Sequence, residues 1–127
     1  MNRRHFLVTA ALATTITLAG CNAGTKPGEK FVGYWQSGQS ATDSHPTLIH
    51  IARNGDSFIV TQSMWYRMGG YKSGNAPAAL GESENILVIN GSFRTIYEEA
   101  TDTMLAGKKK ASRIDQTQYE RTLADGQ

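Results

Sequence analysis

Few side chains in this chain of 127 residues have the types and spacing that chemistry needs. His45 and His50 are the histidines of its main body. Five apart on a strand they point to opposite faces, and Pro46 places His45 in a loop. No HExxH and no clustered Asp/Glu spacing accompanies them, so no metal centre is expected. Met64 and Met68 carry thioethers that soft copper accepts, but methionines more often fill cores. Glu98-Glu99 is a carboxylate pair, yet strand neighbours face opposite ways and cannot flank one bond. There is no Gly-x-Ser-x-Gly elbow, and Gly69-Gly70 lacks the Lys-Ser/Thr of a phosphate loop. The pattern speaks against an enzyme and requires no cofactor.

Cys21, the single cysteine, has a different setting. Arg3-Arg4 precedes an apolar run of about fourteen residues, Phe6 to Ala19. That is shorter than the roughly 20 residues of a membrane-spanning helix. Leu18-Ala19-Gly20-Cys21 then offers small residues where a peptidase approaches the backbone. Residues 1–20 therefore read as a signal peptide of an exported protein. Leu-Ala-Gly-Cys resembles the lipobox of bacterial lipoproteins. The resemblance implies that Cys21 is acylated, becomes the first mature residue and anchors the chain in a membrane. Several acyl chains suffice for stable anchoring, at about 0.8 kcal/mol per buried methylene. Arg3-Arg4-His5-Phe6-Leu7 also resembles a twin-arginine export signal, with Asn2 and Val8 departing from the usual flanks. Twin-arginine and general secretory export both stay open. Asn22 stands where an Asp retains enteric lipoproteins at the inner membrane, so the resemblance implies the outer membrane, facing the periplasm.

These features need a body to carry. Residues 21–30 hold no apolar side chain larger than Ala or Pro beyond Cys21 and read as a lipidated flexible tether. Residues 31–127 form one small domain. Of thirteen Lys and Arg, Arg3 and Arg4 leave with the signal, so eleven basic residues face eleven acidic ones. A neutral mature chain excludes the basic face of a nucleic-acid binder. Lys108-Lys109-Lys110, the one charge run, reads as a solvated strand edge.

Thirteen glycines, two Trp, five Tyr and four Phe favour β structure. Strands are expected at 31–36, 47–53, 57–66, 78–80, 84–90, 92–99, 103–106 and 109–114. Asn54-Gly55 and Asn90-Gly91 are hairpin signals, because Asn and Gly accept positive φ. Arg67 to Ala76, with Gly69, Gly70 and Gly74, reads as a loop. On the 57–66 strand, Phe58, Val60, Met64 and Tyr66 share one face, interrupted by Gln62. Asp115 followed by Gln118 predicts a capped helix to Leu123. The expected fold is all-β: an antiparallel meander or barrel of about seven or eight short strands with a short C-terminal helix.

Gly33-Tyr34-Trp35 on the first strand resembles the Gly-x-Trp motif of the lipocalin and calycin families. There the Trp closes one barrel end and an Arg from the last strand packs over it. The resemblance implies structural roles for Trp35 and Arg113. Gly107 to Ile114 is similar to the last strand of many small bacterial envelope lipoproteins.

Binding suits the remaining residues. The stretch Met64 to Lys72 concentrates Trp, Tyr, Arg and Met, the types that dominate recognition hot spots. Trp65, Tyr66, Arg67, Tyr71 and Lys72 are the candidate binding residues, with Trp65 expected on the exposed face. The expected function is a monomeric, lipid-anchored envelope protein that binds a protein partner without catalysis, of inhibitor or immunity type. The alternative is a lipocalin-like carrier of a small apolar ligand.

Overall fold

Short runs of alternating side chains, cut by Gly and Asn turns, favour pairing each strand with its neighbour in sequence. The computed structural model describes residues 26–38 and 44–127. It contains β1 (Gly33–Ser37), β2 (Thr47–Asn54), β3 (Ser57–Tyr66), β4 (Gly70–Leu80), β5 (Ile86–Ile89), β6 (Phe93–Glu98), β7 (Thr103–Ala106), β8 (Lys109–Ile114) and the helix α1 (Gln116–Asp125). Each strand pairs antiparallel with the next. β8 also pairs with β1, opposing Trp35 to Arg113, so the meander closes into an eight-stranded barrel. Eight strands enclose an interior that side chains can just fill, or that holds one small ligand. The signal peptide, Cys21 and the tether up to residue 25 lie outside the described residues. Among the described residues, no helix is long and apolar enough to cross a membrane.

The hairpin signals act as expected. Gly55 and Asp56 join Asn54 to its partner Ser57, and Asn90 and Gly91 take φ of 58° and 78° between β5 and β6. The expected loop at 67–76 is corrected. β4 begins at Gly70 and pairs with β3 from Tyr66 opposite Gly70 to Phe58 opposite Ala78. The ladder along β3 outweighs the weak strand preference of Gly74 and Asn75.

Two further expectations change. Phe31 does not open the first strand: Glu29–Phe31 form a 3-10 turn, entered through Gly28 at φ 84°. The docked chain thus begins before residue 31, since the Arg53 guanidinium donates to the Pro27 carbonyl at 2.8 Å and to Glu29 at 3.1 Å. Nor is the lysine run a strand edge, because a closed barrel has none. Lys110 lies 4.0 Å from Glu98, while Lys108 and Lys109 border the barrel interior.

Two apolar clusters hold the domain. The inner one fills one end of the barrel with Phe31, Trp35, Ile51, Phe58 and Leu87, each at most 1% exposed. The outer one lies beneath α1, where Leu48, Tyr71 and Tyr119 pack with Tyr34, Trp65 and Leu123. Asp115 starts α1 by accepting the Gln118 backbone N–H at 2.8 Å. On the strand face that carries Trp65 and Tyr71, the Ser63 and Ser73 hydroxyls share a 2.6 Å hydrogen bond.

Candidate functional site

Following the inner face of the strands from one end to the other shows how the site arises. On β3 that face reads Tyr66, Met64, Gln62, Val60, Phe58; on β4 it reads Lys72, Gly74, Ala76, Ala78, Leu80. Large rings meet at the Phe58 end and fill the barrel. At the other end small residues oppose the β3 side chains, and Ala106 and Ala111 continue that thin wall on β7 and β8. The result is an open cavity of about 770 Å³. That lies within the range of about 300–1,000 Å³ typical of small-molecule sites.

Its depths are apolar, lined by Ile49, Ile51, Val60, Ile89 and Met104. Thr95, 4% exposed, is the polar exception buried in this wall. The rim carries Met64, Tyr66 and Phe93, which are 38%, 50% and 61% exposed. Lys72, Lys108 and Lys109 stand beside them, with Ser37, Asn75 and Asn90. Among the described residues no carboxylate lines the cavity. Among the described residues none of these three lysines joins an ion pair.

The opposite end is sealed. Trp35 is fully buried and its indole N–H donates to the Phe31 carbonyl at 3.0 Å. The Arg113 guanidinium lies 4.2 Å over the Trp35 ring. It also donates to the Val32 carbonyl at 2.9 Å, the Lys30 carbonyl at 2.5 Å and Asp102 at 2.8 Å. Gly33 makes room for this: at φ 137°, a Cβ there would sit 2.6 Å from Arg113 Nη1. Gly33, Trp35 and Arg113 thus form one packing unit. Hydrogen bonding from Arg113 holds the Asp102 carboxyl below its usual range. The Tyr97 hydroxyl donates to the same carboxylate at 2.7 Å, which pushes the Tyr97 ionisation up. Lys30 completes the seal, donating to Asn85 at 2.6 Å and Glu99 at 3.0 Å.

The candidate binding residues separate into two groups. Tyr66 and Lys72 stand on the cavity rim, and Arg67 is exposed in the β3–β4 turn. Trp65 and Tyr71 belong to the outer cluster instead. Trp65 is half-buried, donates to the Gly126 carbonyl at 3.1 Å and stacks on His45 at 4.0 Å. Tyr71 is 6% exposed and its hydroxyl donates to the Pro46 carbonyl at 2.8 Å. Trp65 does lie opposite the inner face of its strand, as the alternation predicts, but the end of the chain covers it.

His50 stacks on Tyr34 with ring centres 4.3 Å apart, and burial lowers its pKa. Tyr119 lies 6.1 Å from it, its ionisation raised by burial. Among the described residues no group of three His, Cys, Asp or Glu side chains could hold a metal.

Sequence reasoning missed Phe93, Thr95, Lys108 and Lys109 as cavity residues. The legible signal was the pair of small residues Gly74 and Ala76, two apart on one strand face, which thins one wall. No protein-family model, no curated protein and no solved structure matches the chain.

Proposed function

We propose that this chain is a lipid-anchored bacterial envelope protein that holds a small apolar molecule in the open end of its barrel and performs no chemistry on it. The cavity carries this reading: about 770 Å³ with an apolar floor, open at one end and stoppered at the other by Trp35 and Phe31. The contact between Arg113 and Trp35, opposite Gly33, supports the likeness to lipocalins and calycins. Leu18 to Cys21 supports anchoring through Cys21, with the outer membrane as the site favoured by Asn22.

Native mass spectrometry of the whole chain, released gently from membranes, tests the reading. Added mass that disappears on denaturation, and that an Ala76→Phe variant never acquires, is the expected result. Unliganded wild-type protein from every membrane preparation argues against it.

The protein-binding alternative draws support from the β3–β4 turn, where Met68 is 93% exposed beside Tyr66 and Arg67. A partner of inhibitor or immunity type would engage that turn. Trp65 and Tyr71 are held in the outer cluster, so a partner would meet Tyr66, Arg67, Met68 and Lys72. Loss of a co-purifying envelope protein on Tyr66→Ala and Met68→Ala substitution is the result this reading requires.

A further inference from the structure

We propose that the ligand of the cavity is an anionic single-chain amphiphile, its alkyl chain in the barrel and its carboxylate or phosphate head held by Lys72, Lys108 and Lys109. This rests on the cavity reading above and adds the ligand's chemistry.

The cavity is polarised along its axis. Its deep wall is Ile49, Ile51, Val60, Ile89 and Met104, which suits hydrocarbon and offers a charged head nothing. The rim is mixed. Met64, Tyr66 and Phe93 extend the apolar surface outward, and three lysines line the cavity with them. They come from separate places in the chain, Lys72 near the start of β4 and Lys108 and Lys109 from the β7–β8 turn, brought to one mouth by barrel closure.

Charge is distributed accordingly. The acidic partners of Lys30, Arg53 and Arg113 are Glu99, Glu29 and Asp102, all at the sealed end. Among the described residues no Asp or Glu lines the cavity, and the three rim lysines have no acidic partner there. Three lysines around an apolar opening attract anions and repel cations, although residues 21–127 as a whole are neutral. A long apolar tail and one negative head match both parts of the surface.

The test uses the full chain held in nanodiscs of neutral lipid, with empty nanodiscs as control. Isothermal titration is run with decanoate, decyl phosphate, decanol and decyltrimethylammonium, and with inorganic phosphate alone. Decanoate or decyl phosphate is expected to bind one to one, at least about tenfold more tightly than the cation. Which of the two binds better identifies the head. The triple variant Lys72→Gln, Lys108→Gln, Lys109→Gln should weaken the anions about tenfold, as three exposed ion pairs together would. It should leave decanol unchanged. Raising salt from about 0.01 M to 0.15 M, which shortens the Debye length from about 30 Å to 8 Å, should weaken the anions alone. Lengthening the tail should tighten binding by about fourfold per methylene until the cavity is full.

Equal affinity for the cation, or full anion affinity in the triple variant, overturns the proposal while leaving an apolar cavity ligand intact. Binding of inorganic phosphate as tight as decyl phosphate overturns it in favour of a small-anion site. Anionic vesicles that bind through the three lysines, with no decyl anion entering the barrel, would make the mouth a membrane-docking surface and also overturn it. If Ala76→Phe folds and binds every decyl compound as well as the wild type, the cavity reading itself fails.

Discussion

The two ends of the barrel are built from similar residue types and reach opposite states. At the sealed end, Phe31, Trp35 and Phe58 are fully buried, and the cations beside them are partnered: Arg113 by Asp102, Arg53 by Glu29 and Lys30 by Glu99. At the open end, Tyr66 and Phe93 are half-exposed or more, and Lys72, Lys108 and Lys109 have no acidic partner among the described residues. The same strands supply both. β6 runs from Phe93 at the mouth to Tyr97 at the seal, and β8 runs from Lys109 to Arg113. Apolar and cationic residues stabilise where they can be buried and paired. Left uncovered, they form a surface available to something else.

Substitutions can break this contrast. Trp35→Ala has the largest expected effect, a loss of roughly 3–5 kcal/mol, because it empties the centre of the seal. Urea unfolding reads it, and a loss below about 1 kcal/mol would show that the seal does not hold the barrel together.

Gly33→Ala comes next. It combines an unfavourable φ of 137° with a Cβ 2.6 Å from Arg113 Nη1, so strain of about 1–3 kcal/mol is expected. Arg113→Ala removes the group that Gly33 makes room for. In a double-mutant cycle the two losses should therefore sum to more than the double variant's loss, and strict additivity would separate the two residues.

Acid should weaken the protein in two windows. Burial holds the folded His50 pKa below the ordinary histidine value of 6.5, so the unfolded chain binds that proton more readily. Its contribution is complete above that value and declines as pH falls below it. Asp102 is likewise lowered from 3.8, so its contribution is lost at still lower pH. The variants His50→Phe and Asp102→Asn should each flatten only their own window in unfolding curves measured against pH.

Phe93→Ser is the smallest effect and the other half of the comparison. Being 61% exposed, Phe93 should change stability by no more than about 0.5 kcal/mol on substitution, although it is as aromatic as Phe31. A loss comparable to that of Trp35→Ala would mean the open end is part of the core after all.

Much of the fold was legible because its signals are local. β3 was bounded correctly at Ser57 and Tyr66, since an Asn-Gly turn precedes it and apolar alternation runs through it. The α1 cap at Asp115 was readable from four residues. β4 was not, because Gly70, Gly74 and Asn75 carry turn chemistry by themselves, and only the β3 ladder makes them a strand. Trp65 and Tyr71 were legible as recognition residue types. Their use against α1 and the residues after it depended on distant segments, Trp65 meeting Gly126 across 61 residues.

Residue type and spacing by themselves determined the β class, the hairpins, the C-terminal helix, and the facing of Phe58, Val60, Met64 and Tyr66 to one side. Each follows from backbone preference and side-chain alternation within a few residues. Tertiary structure decided that β8 closes on β1, that Phe31 plugs one end, and that the small residues of β4, β7 and β8 leave the other end hollow. Closure, plugging and hollowness depend on which distant side chains share a volume, and no local pattern encodes a volume.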